Sequence, residues 1–154
     1  MQAPRAARVA ALFAVLAPVA AFAGTAEQHT GRVTHVVNGH AVEMLVNAKR
    51  VRVRLAGIDA PQEGQAYGLR SRQALVRLCA GEIATVEATG RTDGGWLVGR
   101  VVCAGTDAGS EQVRLGMARI SEPAGAGLQA IEREARSAHR GLWSTQTTVM
   151  QKKP

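Results

Sequence analysis

The sequence predicts a mainly β fold with helices packed against it, in the order three strands, a helix, two strands and two helices. Three observations carry this reading. Side chains alternate with period two over Gly31–Val37 and again over Arg50–Leu55, the signature of strands. Asn38-Gly39, two residues that tolerate positive φ, separates the first two strand-like runs as a hairpin turn. Apolar residues recur at helical spacing in Leu69–Cys79 and from Gly127 to His139.

Each element has its own local reason. Met1–Ala23 reads as an export signal: Arg5 and Arg8 precede the apolar run Val9–Ala20, and Ala21-Phe22-Ala23 is a small-x-small cleavage pattern. The apolar run is shorter than the ~20 residues a membrane-spanning helix needs. Residues 24–30 read as a polar leader. Val33, His35 and Val37 then share one side of the first strand, and Ala41–Val46 forms its hairpin partner. A turn at Asn47-Ala48-Lys49 leads to Arg50–Leu55, where three arginines occupy one face about 6–7 Å apart and Val51, Val53 and Leu55 the other.

Gly57–Gly68 is rich in Gly, Pro, Gln and Asp and reads as a loop. The helix Leu69–Cys79 stops at Gly81. Glu82–Ala88 and Trp96–Cys103 read as strands joined by a turn at Gly90–Gly95, and Ser110 caps a short helix Glu111–Leu115. The last helix buries Leu128, Ile131 and Ala135, with Trp143 just beyond it. One domain over residues 31–146 is expected, with a tail at 147–154, because about 131 residues remain after the signal and that is too short for two domains.

Charge and aromatic content narrow the function. Without Arg5 and Arg8 the chain keeps 17 basic residues against 12 acidic ones. Arginine outnumbers lysine heavily, which suits phosphate. Phe13 and Phe22 lie in the signal, leaving Tyr67, Trp96 and Trp143, so extended base stacking is poorly supplied and any nucleic-acid contact leans on charge. Cys79 and Cys103 are the only cysteines. In an oxidising compartment they read as a disulfide, with two buried thiols as the alternative.

Taken in order, Val33–Ala41, Arg54-Leu55-Ala56-Gly57-Ile58-Asp59-Ala60-Pro61, Tyr67-Gly68, Glu111–Ala118 and Arg140-Gly141-Leu142-Trp143 resemble the staphylococcal-nuclease (thermonuclease) family over about Gly31–Ser144. The resemblance implies a five-stranded OB-type β-barrel with three packed helices and calcium-assisted hydrolysis of phosphodiesters in DNA and RNA. Arg54 and Asp59 match a phosphate-binding arginine and a metal-binding carboxylate of the family. His40 stands where the family has its first metal carboxylate, Gln62 where it has its general base, and Trp96 where it has its second arginine. Glu63 is a neighbouring candidate base, and Arg100 matches a further arginine that many relatives carry.

The resulting expectation is a domain with an impaired catalytic set that binds nucleic acid weakly through charge, a monomer exported to the periplasm or beyond and free of the membrane once the signal is removed. No cofactor is expected, because calcium loses an oxygen donor at His40. The alternatives are an active nuclease using Glu63 and a metal shared by Asp59 and His40, and a protein-interaction module.

Overall fold

A computed structural model describes residues 27–92, 94–121 and 124–144. The signal, residues 24–26 of the leader, Asp93 in the turn before Trp96, Pro123 and the tail lie outside the described residues.

Strand β1 (Glu27–Asn38) pairs antiparallel with β2 (Ala41–Val46), which pairs with β3 (Lys49–Leu55). On its other edge β1 pairs with β5 (Ile83–Arg91), and β5 pairs with β6 (Leu97–Cys103). A parallel pairing of β3 with β6, Val53 opposite Leu97, closes the five strands into a barrel. Closure leaves none of the five with a free long edge, and the inward residues form the core: Val33, Val36, Val42, Met44, Val53, Leu55, Val86, Leu97 and Val101 are all buried. The OB-type barrel implied by the resemblance is therefore the observed fold. No helix among the described residues is long and apolar enough to cross a membrane.

The strand β1 starts four residues earlier than read from sequence. Glu27–Thr30, taken as leader, lie opposite Thr85–Ala88 of β5. Their polar character reflects an exposed position, not exclusion from the sheet.

Helix α1 (Gly68–Cys79) packs on β1, burying Ser71, Ala74, Leu75 and Cys79. Its last residue is bonded to the last residue of β6: Cys79 and Cys103 form a disulfide with Cα atoms 5.2 Å apart and both residues fully buried. The short strand β7 (Thr106–Asp107) then leads into α2 (Ala108–Arg114). Asp107, not Ser110, caps that helix, its Oδ1 accepting the Ser110 N–H at 2.7 Å.

Three short strands, β7 among them, escaped the sequence reading altogether. Strand β4 (Ile58–Asp59) pairs with β8 (Arg119–Ile120), Asp59 lying opposite Arg119. The pair lies between the barrel and α3 (Ala126–Ser137), where the buried Glu132 accepts the Ile120 N–H at 3.0 Å. After α3, the 3-10 turn Gly141–Trp143 brings the half-buried Trp143 ring against the guanidinium groups of Arg136 and Arg119.

Candidate functional site

The outer face of β3 carries Arg50, Arg52 and Arg54, all exposed, because Val51, Val53 and Leu55 take the opposite side. At its C-terminal end Arg54 meets the β1–β2 turn and β4. Arg54 Nη2 and His40 Nε2 approach the same oxygen, Asp59 Oδ1, at 3.4 and 3.7 Å. Three of the residues singled out by sequence thus converge on one corner.

That corner is built from the backbone outwards. Asn38 Oδ1 accepts the His40 N–H at 3.0 Å, and His40 C=O accepts the Leu55 N–H at 2.9 Å, so the turn is tied to the end of β3. Gly39 is required by space: a Cβ there would fall 1.8 Å from Ser71 Oγ. Its carbonyl accepts from the buried Gln112 Nε2 at 2.6 Å, and Gln112 also reaches Ser71 C=O at 3.0 Å. Helices α1 and α2 therefore clamp the turn through a satisfied buried polar network.

His40 is only 4% exposed. Its Nδ1 accepts the Ala60 N–H at 3.1 Å, which leaves the ring proton on Nε2, facing Asp59. Burial, and then the nearby Arg54 charge, push its pKa below the usual 6.5; the Asp59 carboxylate opposes them and does not prevail. The side chain is a neutral imidazole whose acceptor nitrogen is already engaged. A cation at Nε2 would have to displace the remaining ring proton. Among the described residues no three His, Cys, Asp or Glu side chains come together as metal ligands.

The other sequence candidates make no hydrogen bond or ion pair with this corner among the described residues. Gln62 is exposed in the loop before α1, its N–H donating to Gln65 Oε1 at 2.7 Å and its C=O accepting the Gln65 N–H at 3.0 Å. Glu63, beside it, is exposed and makes no hydrogen bond or ion pair among the described residues with Arg54, Asp59 or His40. Arg100 is engaged by other carboxylates, Asp107, Nε to Oδ2 at 2.6 Å, and Glu87 at 3.4 Å; these raise its pKa further.

Trp96 follows the turn from β5 and is half-buried, with the Arg52 guanidinium 5.4 Å from its ring centre. It lines a cavity of about 330 Å³ together with Glu43, Arg50, Arg52 and Arg91. A larger cavity of about 560 Å³ opens on the other side of Asp59, between Pro61, Tyr67, Arg119 and Leu142. Arg91 was not singled out from sequence: it ends a strand across a turn from Trp96, and only the closed barrel brings it beside Arg50.

Comparison with known proteins agrees with the barrel and the arrangement of motifs. Residues 52–145 match the family model described as staphylococcal nuclease homologue. The chain is 37% identical over 117 residues to an uncharacterized endonuclease of Escherichia coli, covering 74% of this chain and 76% of that one. It is 35% identical over 127 residues to a micrococcal nuclease of Shigella flexneri, covering 74% and 73%. It is 34% identical over 153 residues to Protein ParB of Escherichia coli, covering 89% and 83%. The chain belongs to the staphylococcal nuclease family.

Proposed function

We propose that this protein is an exported member of its family that holds the phosphates of nucleic acid by charge and has lost calcium-dependent cleavage. The observation that carries the reading is the state of His40. Calcium asks for six to eight hard oxygen donors, and the corner supplies one carboxylate, an imidazole bearing its proton towards that carboxylate, and a guanidinium on the same oxygen. These residues do not fit the ion.

Gln62 adds a second argument, because an amide cannot take a proton from water at neutral pH, and Glu63 beside it makes no hydrogen bond or ion pair with the corner among the described residues. What remains is a surface suited to binding. Arg54 presents a guanidinium that can fork onto a phosphate, and its tie to the exposed Asp59 at 3.4 Å is of the kind that contributes at most about 1 kcal/mol, weak enough for a phosphate to compete. Export rests on the sequence of residues 1–23.

Incubation of the folded protein with single-stranded DNA and with RNA tests this, in calcium, manganese or zinc and in a chelator. Cleavage in each metal should stay at the chelator level, while fluorescence anisotropy reports binding that weakens as salt rises. Calcium-dependent cleavage that disappears in Asp59→Ala would replace this reading with an active nuclease. Absence of binding at low salt would move the assignment to a protein-interaction module.

A further inference from the structure

We infer that the cavity between Trp96, Arg50 and Arg91 seats one unpaired nucleobase, stacked on the Trp96 indole, so that the protein prefers single-stranded nucleic acid. The inference rests on the nucleic-acid binding proposed above and names its substrate class. Four observations support it.

Among the described residues the cavity is lined by three cations, Arg50, Arg52 and Arg91, and one acid, Glu43. Glu43 is already engaged, its Oε1 3.0 Å from Arg52 Nε across the β2–β3 pairing. Arg50 and Arg91 have no acidic partner within ion-pair distance among the described residues, and both line the cavity beside the indole. The turn that presents the indole is held by its backbone. The Trp96 N–H donates to Thr92 Oγ1 at 3.2 Å, the Trp96 C=O accepts the Thr92 N–H at 2.9 Å, and the Gly95 N–H closes the turn onto Thr92 C=O at 2.9 Å.

The third observation is the bare edge of the ring. A Cβ on Gly94 would stand 3.7 Å from Trp96 Cδ1, so any larger residue there would lie against the indole, and glycine leaves that side uncovered. Gly95 adds no side chain and needs its positive φ of 77°. Finally, Arg52 lies at 5.4 Å from the ring centre and, fixed by Glu43, backs the indole with a cation. At about 330 Å³ the cavity is at the small end of ligand sites, roughly 300–1,000 Å³, a size for one flat ring and not for a base pair.

Position completes the argument. Trp96 precedes Leu97, which lies opposite Val53, so the indole sits beside Arg52, one same-face step along β3 from Arg54. A strand whose phosphate lies on Arg54 passes over Arg52 with its next base at Trp96. A duplex cannot offer that base without unpairing it.

The test uses three fluorescein-labelled ligands at low salt: a thymidine 12-mer, an abasic 12-mer of the same length and charge, and a 12-base-pair duplex. The thymidine strand should bind about tenfold more tightly than the abasic strand, the value of a single stacked base. Trp96→Leu should bring that ratio to about one with abasic binding unchanged, and Trp96→Phe should keep most of it. Equal binding of the two strands by the wild-type protein, or a ratio untouched by Trp96→Leu, overturns the inference and leaves the charge-driven reading standing. Failure of both strands to bind overturns both. Should Trp96→Leu not fold, Trp143→Phe isolates the Trp96 emission: quenching by the thymidine strand and not by the abasic one is expected, and unchanged emission overturns the inference.

Discussion

The two ends of the β3 arginine row differ in how far their charges are already satisfied. At the C-terminal end Arg54, Asp59 and His40 answer one another, and the imidazole is buried with its acceptor nitrogen bonded to Ala60. At the other end Arg50 and Arg91 face a cavity, with Trp96 held between them and Arg52. The two ends also differ in the residue that shapes each: at one a buried imidazole completes a self-satisfied turn, and at the other a tryptophan forms the aromatic wall of a charged hollow. The closed end is held by burial and not by its ion pair, since Arg54 and Asp59 are about half exposed and such a pair contributes roughly 0–1 kcal/mol.

The largest effect should come from a change that loosens both ends at once. The Cys79–Cys103 bond joins α1, which clamps the His40 turn through Ser71, to β6, which follows Trp96. It closes a span of 24 residues, for which the loop-entropy model gives about 3–3.5 kcal/mol. The Cys79→Ala/Cys103→Ala protein should lose about that much in urea unfolding. A loss below about 1 kcal/mol would show that the two ends are held independently of the bond.

Next in size is a pair of substitutions that separates the ends. His40→Ala removes a buried ring and strands the Ala60 N–H, which should cost about 2–3 kcal/mol. Arg50→Ala, on the exposed face, should change stability by no more than about 0.5 kcal/mol. Equal losses in chemical denaturation would break the distinction between a closed and an open end.

Much of this was legible in the sequence because one face of each long strand is buried. The alternation of Arg50–Leu55 is forced by the barrel wall, and Asn38 and Gly39 mark their hairpin by the side-chain acceptor and the missing Cβ that the turn needs. The two-residue strands β4 and β8 left no periodic signal, since they exist only through a pairing between residues 58–59 and 119–120, far apart in the chain. Glu27–Thr30 gave no apolar pattern because both of their faces are largely exposed. At the site, Arg54, Asp59 and His40 were legible as residues. The state of His40 was not, because it is set by a backbone donor, the Ala60 N–H, which carries no sequence identity. Composition argued that base stacking was scarce, and three rings are indeed few; it could not show that one of them would stand among arginines.

Acidification should sharpen the contrast. His40 has a folded pKa below the 6.5 of the unfolded chain, so the unfolded state binds the proton more readily. The stability contributed by the neutral ring is fully present above about pH 6.5 and is lost as pH falls from there towards the folded pKa. Unfolding free energy should therefore drop between pH 7 and 5, and His40→Asn should flatten that part of the profile. A wild-type profile flat over this window, or an undiminished slope in His40→Asn, would remove the corner's claim to a buried neutral imidazole.

The smallest effect concerns single arginines and asks which of them meet phosphate. Each phosphate contact to a single strand contributes about 0.7 to the slope of log binding constant against log salt. Arg50 has no acidic partner among the described residues and should show this in full: Arg50→Gln lowers the slope by about 0.7. Arg100, tied to Asp107 at 2.6 Å and to Glu87 at 3.4 Å, already has its counter-charges, so Arg100→Gln should leave the slope within error of the wild type. Arg52 lies between them, bonded to Glu43 yet open on the side of the cavity, and Arg52→Gln should give a partial change. Anisotropy titrations of the thymidine 12-mer at four salt concentrations measure all three. Equal slopes for Arg50→Gln and Arg100→Gln would mean that paired and unpaired arginines bind phosphate alike, and the open end of the β3 row would lose its distinction from the rest of the basic surface.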